Sequence, residues 1–171
     1  MKSDENYDDD VVDERLYREP TSIIDRLFLG CMVVAHKVPF YPEIKAVVCL
    51  GEKPYYGYPK PFSGISYLYI NIDDDPDEDI YAHFDKAVDF VRSHIAAGSS
   101  VYVHCAAGVS RSATIVIAYL MAEHNMTLEE AYKHVKAKRS IIHPNWGFVN
   151  QLRRYEQVLK DRKFAQKILI E

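Results

Sequence analysis

Residues 100–124 read SVYVHCAAGVSRSATIVIAYLMAEH, and this segment constrains the fold more than any other. Its opening, SVYVHC (100–105), is β-branched and aromatic, the composition of a strand. Its close, SATIVIAYLMAEH (112–124), is apolar on nearly every side, so the helix it forms must be buried. A short loop containing Gly108 separates them. A strand that feeds directly into a fully covered helix belongs to a sheet with helices packed on its face.

The rest of the chain repeats this alternation. RLFLG (26–30), KAVVCLG (45–51) and ISYLYINI (65–72) read as strands. Residues 79–98 read as a helix capped by Asp79 and ended by Gly98, with Ile80, Phe84, Ala87, Val88 and Val91 on one face. Thr127 opens another helix, with Glu130 completing a capping box. Residues 145–164 form a last helical region. The expectation is a single α/β domain with a largely parallel central sheet flanked by helices and no internal repeat. Its expected limits are 21–160, after a flexible acidic tail (1–20) and before a helical extension (161–171). Residues 53–64, KPYYGYPKPFSG, read as a loop.

A net charge of −4 gives no support to a nucleic-acid or membrane-surface binder. The longest apolar run, from Ala113, is too short to span a bilayer, so no membrane insertion is expected. No apolar run follows Met1 as a signal peptide requires. Cys31, Cys49 and Cys105 suit a reducing compartment better than a disulfide framework. These features fit a cytoplasmic protein, with the nucleus an alternative. The histidines are scattered without metal-ligand spacing, so no metal or cofactor is expected.

The chemistry concentrates at 104–112. A strand–loop–helix connection gathers the N–H groups of Ala106, Ala107, Gly108, Val109, Ser110 and Arg111 at a helix N-terminus. That arrangement binds an oxyanion, and its field favours a thiolate at Cys105. Arg111 supplies a planar fork matched to two phosphate oxygens. Gly108 accepts a backbone conformation that a Cβ would strain. The result is a nucleophile inside a phosphate cradle.

HCAAGVSR (104–111) matches the His-Cys-five residues-Arg loop of cysteine-based phosphatases. The continuing SRSAT and IAYLM resemble the small, atypical dual-specificity branch. IIDRLFLG (23–30), FDKAVDFV (84–91) and HPNWGFVNQLRRYE (143–156) are similar to other segments of that family, so the resemblance covers about residues 22–158. It implies the dual-specificity phosphatase fold and hydrolysis of phosphotyrosine and phosphoserine/phosphothreonine in phosphoproteins through a phosphocysteine intermediate. It makes Cys105 the nucleophile and Arg111 the holder of the equatorial oxygens. Ser112 is a donor to the departing sulfur. His104 orders the loop and is not the proton donor; a satisfied core histidine is the plainer reading. The acid comes from NIDDDPDED (71–79), where Asp73, Asp74 and Asp75 compete. The family's spacing, ten residues before the position of Phe84, selects Asp74.

Other residues keep two readings each. Lys138 and Arg139 form a second-anion site at the mouth or a solvated helix end. Asn145 braces the loop or caps a helix. Trp146 packs. Tyr55, Tyr56 and Tyr58 line a groove or cover a sheet edge. Cys49 is plain core, or the redox partner of Cys105, as the resemblance to the phosphatases of regenerating liver implies. Residues 106–110 lack the basic side chains usual in phosphoinositide phosphatases, and no Lys-Asn-Arg-Tyr segment builds a deep tyrosine-only pocket. The chain is too short for the docking domain of mitogen-activated kinase phosphatases. The rival functions are a catalytically weak phosphate-binding scaffold and a phosphatase for lipid, glucan or RNA phosphates.

Overall fold

Strand β5 (Ser100–Cys105) lies at the centre of the sheet, and every residue along it is buried. The structure, a computed structural model, describes residues 13–51 and 61–169. The strands are β1 (Thr21–Ile24), β2 (Leu27–Cys31), β3 (Ile44–Leu50), β4 (Ser66–Ile70) and β5, in spatial order β1-β2-β5-β3-β4. β2, β5, β3 and β4 run parallel, and β1 is antiparallel at the edge. Parallel strands buried on both faces need continuous apolar sequence, and AVVC and VYV supply it.

The helices are α1 (Met32–Ala35), α2 (Phe84–Ala96), α3 (Arg111–Glu123), α4 (Leu128–Lys138) and α5 (Trp146–Ile168). α3 is the helix expected to be apolar all round, and it is buried from Ser112 to Met121. It packs on β5 and is itself enclosed by α2, α4 and α5. The larger core cluster fills this side, with Val101, Val103 and Cys105 meeting Ile115, Ala118 and Phe148. The smaller cluster lies on the opposite face, where Tyr102 packs with Cys31, Val34, Val38 and Val47.

Local chemistry sets the boundaries. Arg26, expected inside the first strand, has φ of 61° and makes the turn between β1 and β2. Asp79 accepts from the Ala82 N–H, as a cap should, but the first turn (Tyr81–His83) is 3₁₀ and α2 starts at Phe84. Thr127 and Glu130 form the capping box. All of the face predicted from Ile80 to Val91 is buried.

The expected tail, 1–20, is too long. Residues from Asp13 onward are folded: Asp13 caps a 3₁₀ turn (Glu14–Tyr17), and the Leu16 carbonyl accepts from Arg139 Nη1 at 2.7 Å. Backbone capture by a buried side chain overrides an acidic composition. α5 continues unbroken through the predicted 161–171 extension as far as Ile168, and its residues from 161 are exposed. Residues 1–12 and most of the 53–64 loop, including Tyr55, Tyr56 and Tyr58, lie outside the described residues.

Phe84 joins these layers, with its ring centroid 4.9 Å from that of Tyr155 and 5.8 Å from that of Tyr81. Phe84→Ala is expected to lower stability by about 3–5 kcal/mol, as for other buried aromatic truncations. Urea unfolding of the two proteins measures it, and a loss under about 1 kcal/mol would show that the site collapses around the gap.

Candidate active site

The loop from Ala106 to Ser110 turns its carbonyls outward. Ala106 O accepts from Met32 N at 3.0 Å and Val109 O from His143 N at 2.8 Å. Ala107 O and Gly108 O accept from Arg139, from Nη2 at 3.1 Å and Nε at 2.8 Å. Ser110 O accepts from both Thr114 N and Thr114 Oγ1. A trans peptide is planar, with its N–H opposed to its C=O. Each outward carbonyl therefore turns the next residue's N–H inward. Gly108 has φ of 70°, and a Cβ there would stand 2.4 Å from Gly30 O, so both conformation and space require glycine.

Cys105 is buried at the end of β5. Its Sγ accepts from Gly108 N at 3.3 Å and lies 3.1 Å from Ser112 Oγ. Arg111, at the start of α3, donates from Nη1 to Ile72 O at 3.2 Å. Its Nε is buried without a hydrogen-bond partner, the only such side-chain nitrogen or oxygen among the described residues. A buried, unsatisfied guanidinium donor is costly, and an anion's oxygen in the loop relieves that cost.

Asp74 faces this loop. Its Oδ1 accepts from Ser110 Oγ at 2.6 Å and from Asn145 Nδ2 at 2.9 Å. Asp75 instead accepts from Asp77 N at 2.9 Å in a local turn, and Asp73 is exposed. Of the competing aspartates, Asp74 is the one brought to the cysteine loop. Asn145 makes both predicted kinds of contact: its Oδ1 caps α5 through Phe148 N, while its Nδ2 holds Asp74.

His104 is buried beside Tyr102, ring centroids 5.5 Å apart, with Nδ1 3.2 Å from Cys105 O. Burial pulls its pKa down to about 4, so the ring is neutral near pH 7. Cys49 pairs in register with His104, so strand alternation turns its side chain to the face of His104 and Tyr102. Burial pushes its thiol up to about 12, with Cys105 near enough to add to the rise. All three cysteines are free thiols here.

Arg139 corrects the second-anion expectation. It is fully buried, and its donors are taken by the Ala107, Gly108 and Leu16 carbonyls and by Thr21 Oγ1, so it cannot meet a substrate at the mouth. Lys138 is exposed. Trp146 is 67% exposed at the start of α5, against the packing role expected of it.

Some contributors escaped the sequence reading. The Ser110 hydroxyl joins Asp74 to the backbone N–H of Asn145, which donates to it at 3.0 Å. Gly147 lets α5 approach the acidic loop, since a Cβ there would fall 2.0 Å from Pro76 O. Gln151 grips that loop's exit, accepting from Tyr81 N and donating to Glu78 O, each at 2.8 Å. Gly147 and Gln151 both fall in the GFVNQL stretch whose likeness to the family was the available signal.

Residues 28–158 match the family described as dual specificity phosphatase, catalytic domain. The chain is 40% identical over 141 residues to the tyrosine-phosphatase relative 123R of Invertebrate iridescent virus 6, covering 82% of this chain and 94% of that protein. It is 39% identical over 142 residues to mouse dual specificity protein phosphatase 1, covering 82% of this chain but only 38% of that protein's length. Among solved structures, the human tyrosine phosphatase-like serine/threonine/tyrosine-interacting protein superposes with a TM-score of 0.78 at 35% identity, covering 82% of this chain and 97% of that one. No helix among the described residues is long and apolar enough to cross a membrane. Sequence, fold and loop together make the chain a member of the dual specificity phosphatase family, a dual-specificity protein phosphatase.

Proposed function

We propose that the domain hydrolyses phosphotyrosine and phosphoserine/phosphothreonine monoesters of proteins through a phosphocysteine intermediate. The observation that carries this reading is the unpartnered, buried Nε of Arg111 at a loop of inward N–H groups beside the Cys105 sulfur. Cys105 attacks phosphorus as the thiolate. Arg111 and the loop amides hold the equatorial oxygens and stabilise the charge spread over them. Asp74 gives a proton to the leaving oxygen, and the ester oxygen departs as an alcohol or phenol. In the second step the Asp74 carboxylate takes a proton from water, the water oxygen attacks phosphorus, and the sulfur leaves. Ser112 donates to that sulfur as it regains its electron pair. The apolar side chains at 106, 107 and 109 favour phosphoprotein esters over inositol phosphates, which need additional cations.

Cys105→Ser is expected to abolish turnover of an aryl phosphate while preserving its binding, because Arg111 and the amides survive. Residual turnover above contamination would sink the cysteine nucleophile. Arg111→Lys is expected to be nearly inactive as well, since a point charge cannot reproduce the bidentate fork.

Asp74→Asn is expected to slow esters with poor leaving groups by about 10²-fold or more, and activated aryl phosphates far less. Gly147→Ala, which pushes on Pro76, is expected to show part of the same leaving-group dependence. Steady-state kinetics on phosphotyrosine peptide and an activated aryl phosphate test both. A selective loss in Asp73 or Asp75 variants instead would assign the acid elsewhere.

His104 sets a pH dependence of stability. Its folded pKa, about 4, lies below the ordinary 6.5. The unfolded chain therefore binds a proton that the folded chain refuses. The contribution is whole above pH 6.5 and declines as pH falls to about 4, amounting to about 3 kcal/mol across that window. Urea midpoints of wild type and His104→Gln at pH 7 and pH 5 measure it. The variant is expected to lose this slope, and an unchanged slope would assign it to other groups.

A further inference from the structure

Among the described residues Arg139 is the largest fully buried side chain, and none of their carboxylates accompanies it. Its partners are neutral oxygens. Nη1 donates to Leu16 O at 2.7 Å and to Thr21 Oγ1 at 3.0 Å, which anchors one edge of the guanidinium in the N-terminal segment. Nε and Nη2 donate to Gly108 O and Ala107 O, which places the other edge against the middle of the cysteine loop. Among the described residues, the titratable groups facing it are Tyr102 from β5, Cys31 from the end of β2, Cys105, and Tyr17 from the N-terminal turn. A buried cation without a partner acid is expensive, and a protein keeps one only where something offsets the cost.

The two carbonyls it holds belong to the Ala107–Gly108 and Gly108–Val109 peptides. Their N–H groups point the opposite way. That of Gly108 reaches the Cys105 sulfur, and that of Val109 turns into the cradle. Both peptides flank Gly108, the residue with the most backbone freedom in the loop. Without a donor behind them, these are the peptides freest to rotate.

We propose that Arg139 is the positioning residue of the cysteine loop: its rigid fork holds two adjacent peptides so that their N–H groups face the sulfur and a bound oxyanion before any ligand arrives. Its charge lies behind those peptides and favours an anion in front of them. The anion, thiolate or phosphoryl group, is a counter-charge that no described carboxylate gives the buried guanidinium. Lysine cannot replace it, because an ammonium has neither the planar fork nor the reach to hold two loop carbonyls and two N-terminal oxygens together. The proposal rests on the phosphatase reading for its kinetic consequence, but not for its structural one.

The test compares Arg139→Lys and Arg139→Met with wild type in the full chain. Three quantities are read: kcat and KM on an aryl phosphate, inhibition by orthovanadate, and the pH dependence of Cys105 alkylation by iodoacetate. Displaced amide donors are expected to lower kcat by about 10²-fold in both variants. Vanadate inhibition should weaken in parallel. In Arg139→Met, which also loses the charge, the midpoint of alkylation should rise by about one pH unit. A variant that only melts earlier, with kcat, vanadate inhibition and alkylation midpoint all within about twofold or a few tenths of a unit of wild type, would reduce Arg139 to a structural brace and overturn the proposal.

If both variants fail to fold, the wild type decides. The Arg139 Nε–H should exchange slowly in the free protein. Its nitrogen-15 resonance should stay in place on adding vanadate while the Gly108 and Val109 amides shift. A fast-exchanging Nε–H in the free protein would overturn the preset loop. Absence of turnover by wild type would sink the phosphatase reading, while the alkylation midpoint and the vanadate-induced amide shifts would still judge Arg139.

Discussion

Converging N–H dipoles repel one another, so a loop that points successive amides at one spot must be held from behind. In this protein each carbonyl from Ala106 to Ser110 meets a donor on its outer side. The donors come from scattered parts of the chain: Met32 at the start of α1, Arg139 at the end of α4, His143 before α5, and Thr114 within α3. The cradle is thus less a property of the segment 104–112 than of the elements that surround it. Much of the fold can be understood as a means of bringing those donors to one place.

The sheet order serves the same end. With β5 central, the loop at its tip emerges between β2 and β3, and Gly30 passes close enough that Gly108 can carry no side chain. α3 leaves the loop directly into the main core, where its buried length fixes the direction of its first turn. That turn carries Arg111 and Ser112, so the packing of Ile115, Ile117 and Leu120 sets where the guanidinium and hydroxyl stand. Core packing and site geometry are one problem here.

The sequence carried the parts of the site that depend on spacing along one segment. Cys105, Gly108, Arg111 and Ser112 lie within one strand–loop–helix unit, and their chemistry follows from being close in sequence. Asp74 needed the family's spacing to separate it from Asp73 and Asp75, because an acidic run has no internal register. Arg139 was misread for a physical reason. A basic residue in the last turn of a charged helix looks solvated, and only the tertiary fold shows the carbonyls that draw it inside. The same contacts explain why residues 13–20 are part of the domain despite their polar composition. Arg26 hid a strand reversal, since arginine gives no hint of a positive φ. Ser110 and Gly147 act through contacts with loops distant in sequence, which no local pattern announces.

The loop bearing Asp74 is fastened along its length: Arg111 holds Ile72 O, Ser110 and Asn145 hold the Asp74 carboxyl, Pro76 lies against Gly147, and Gln151 holds Glu78 O. A segment fastened so often stands against the cysteine loop before any ligand arrives. The assembled arrangement is then the resting one, and apparent affinity carries no reduction for a rarely visited state. The corollary concerns selectivity. A site that does not shut around its ligand has no shutting step at which to reject a poor one, so discrimination falls to the fixed contacts at its rim.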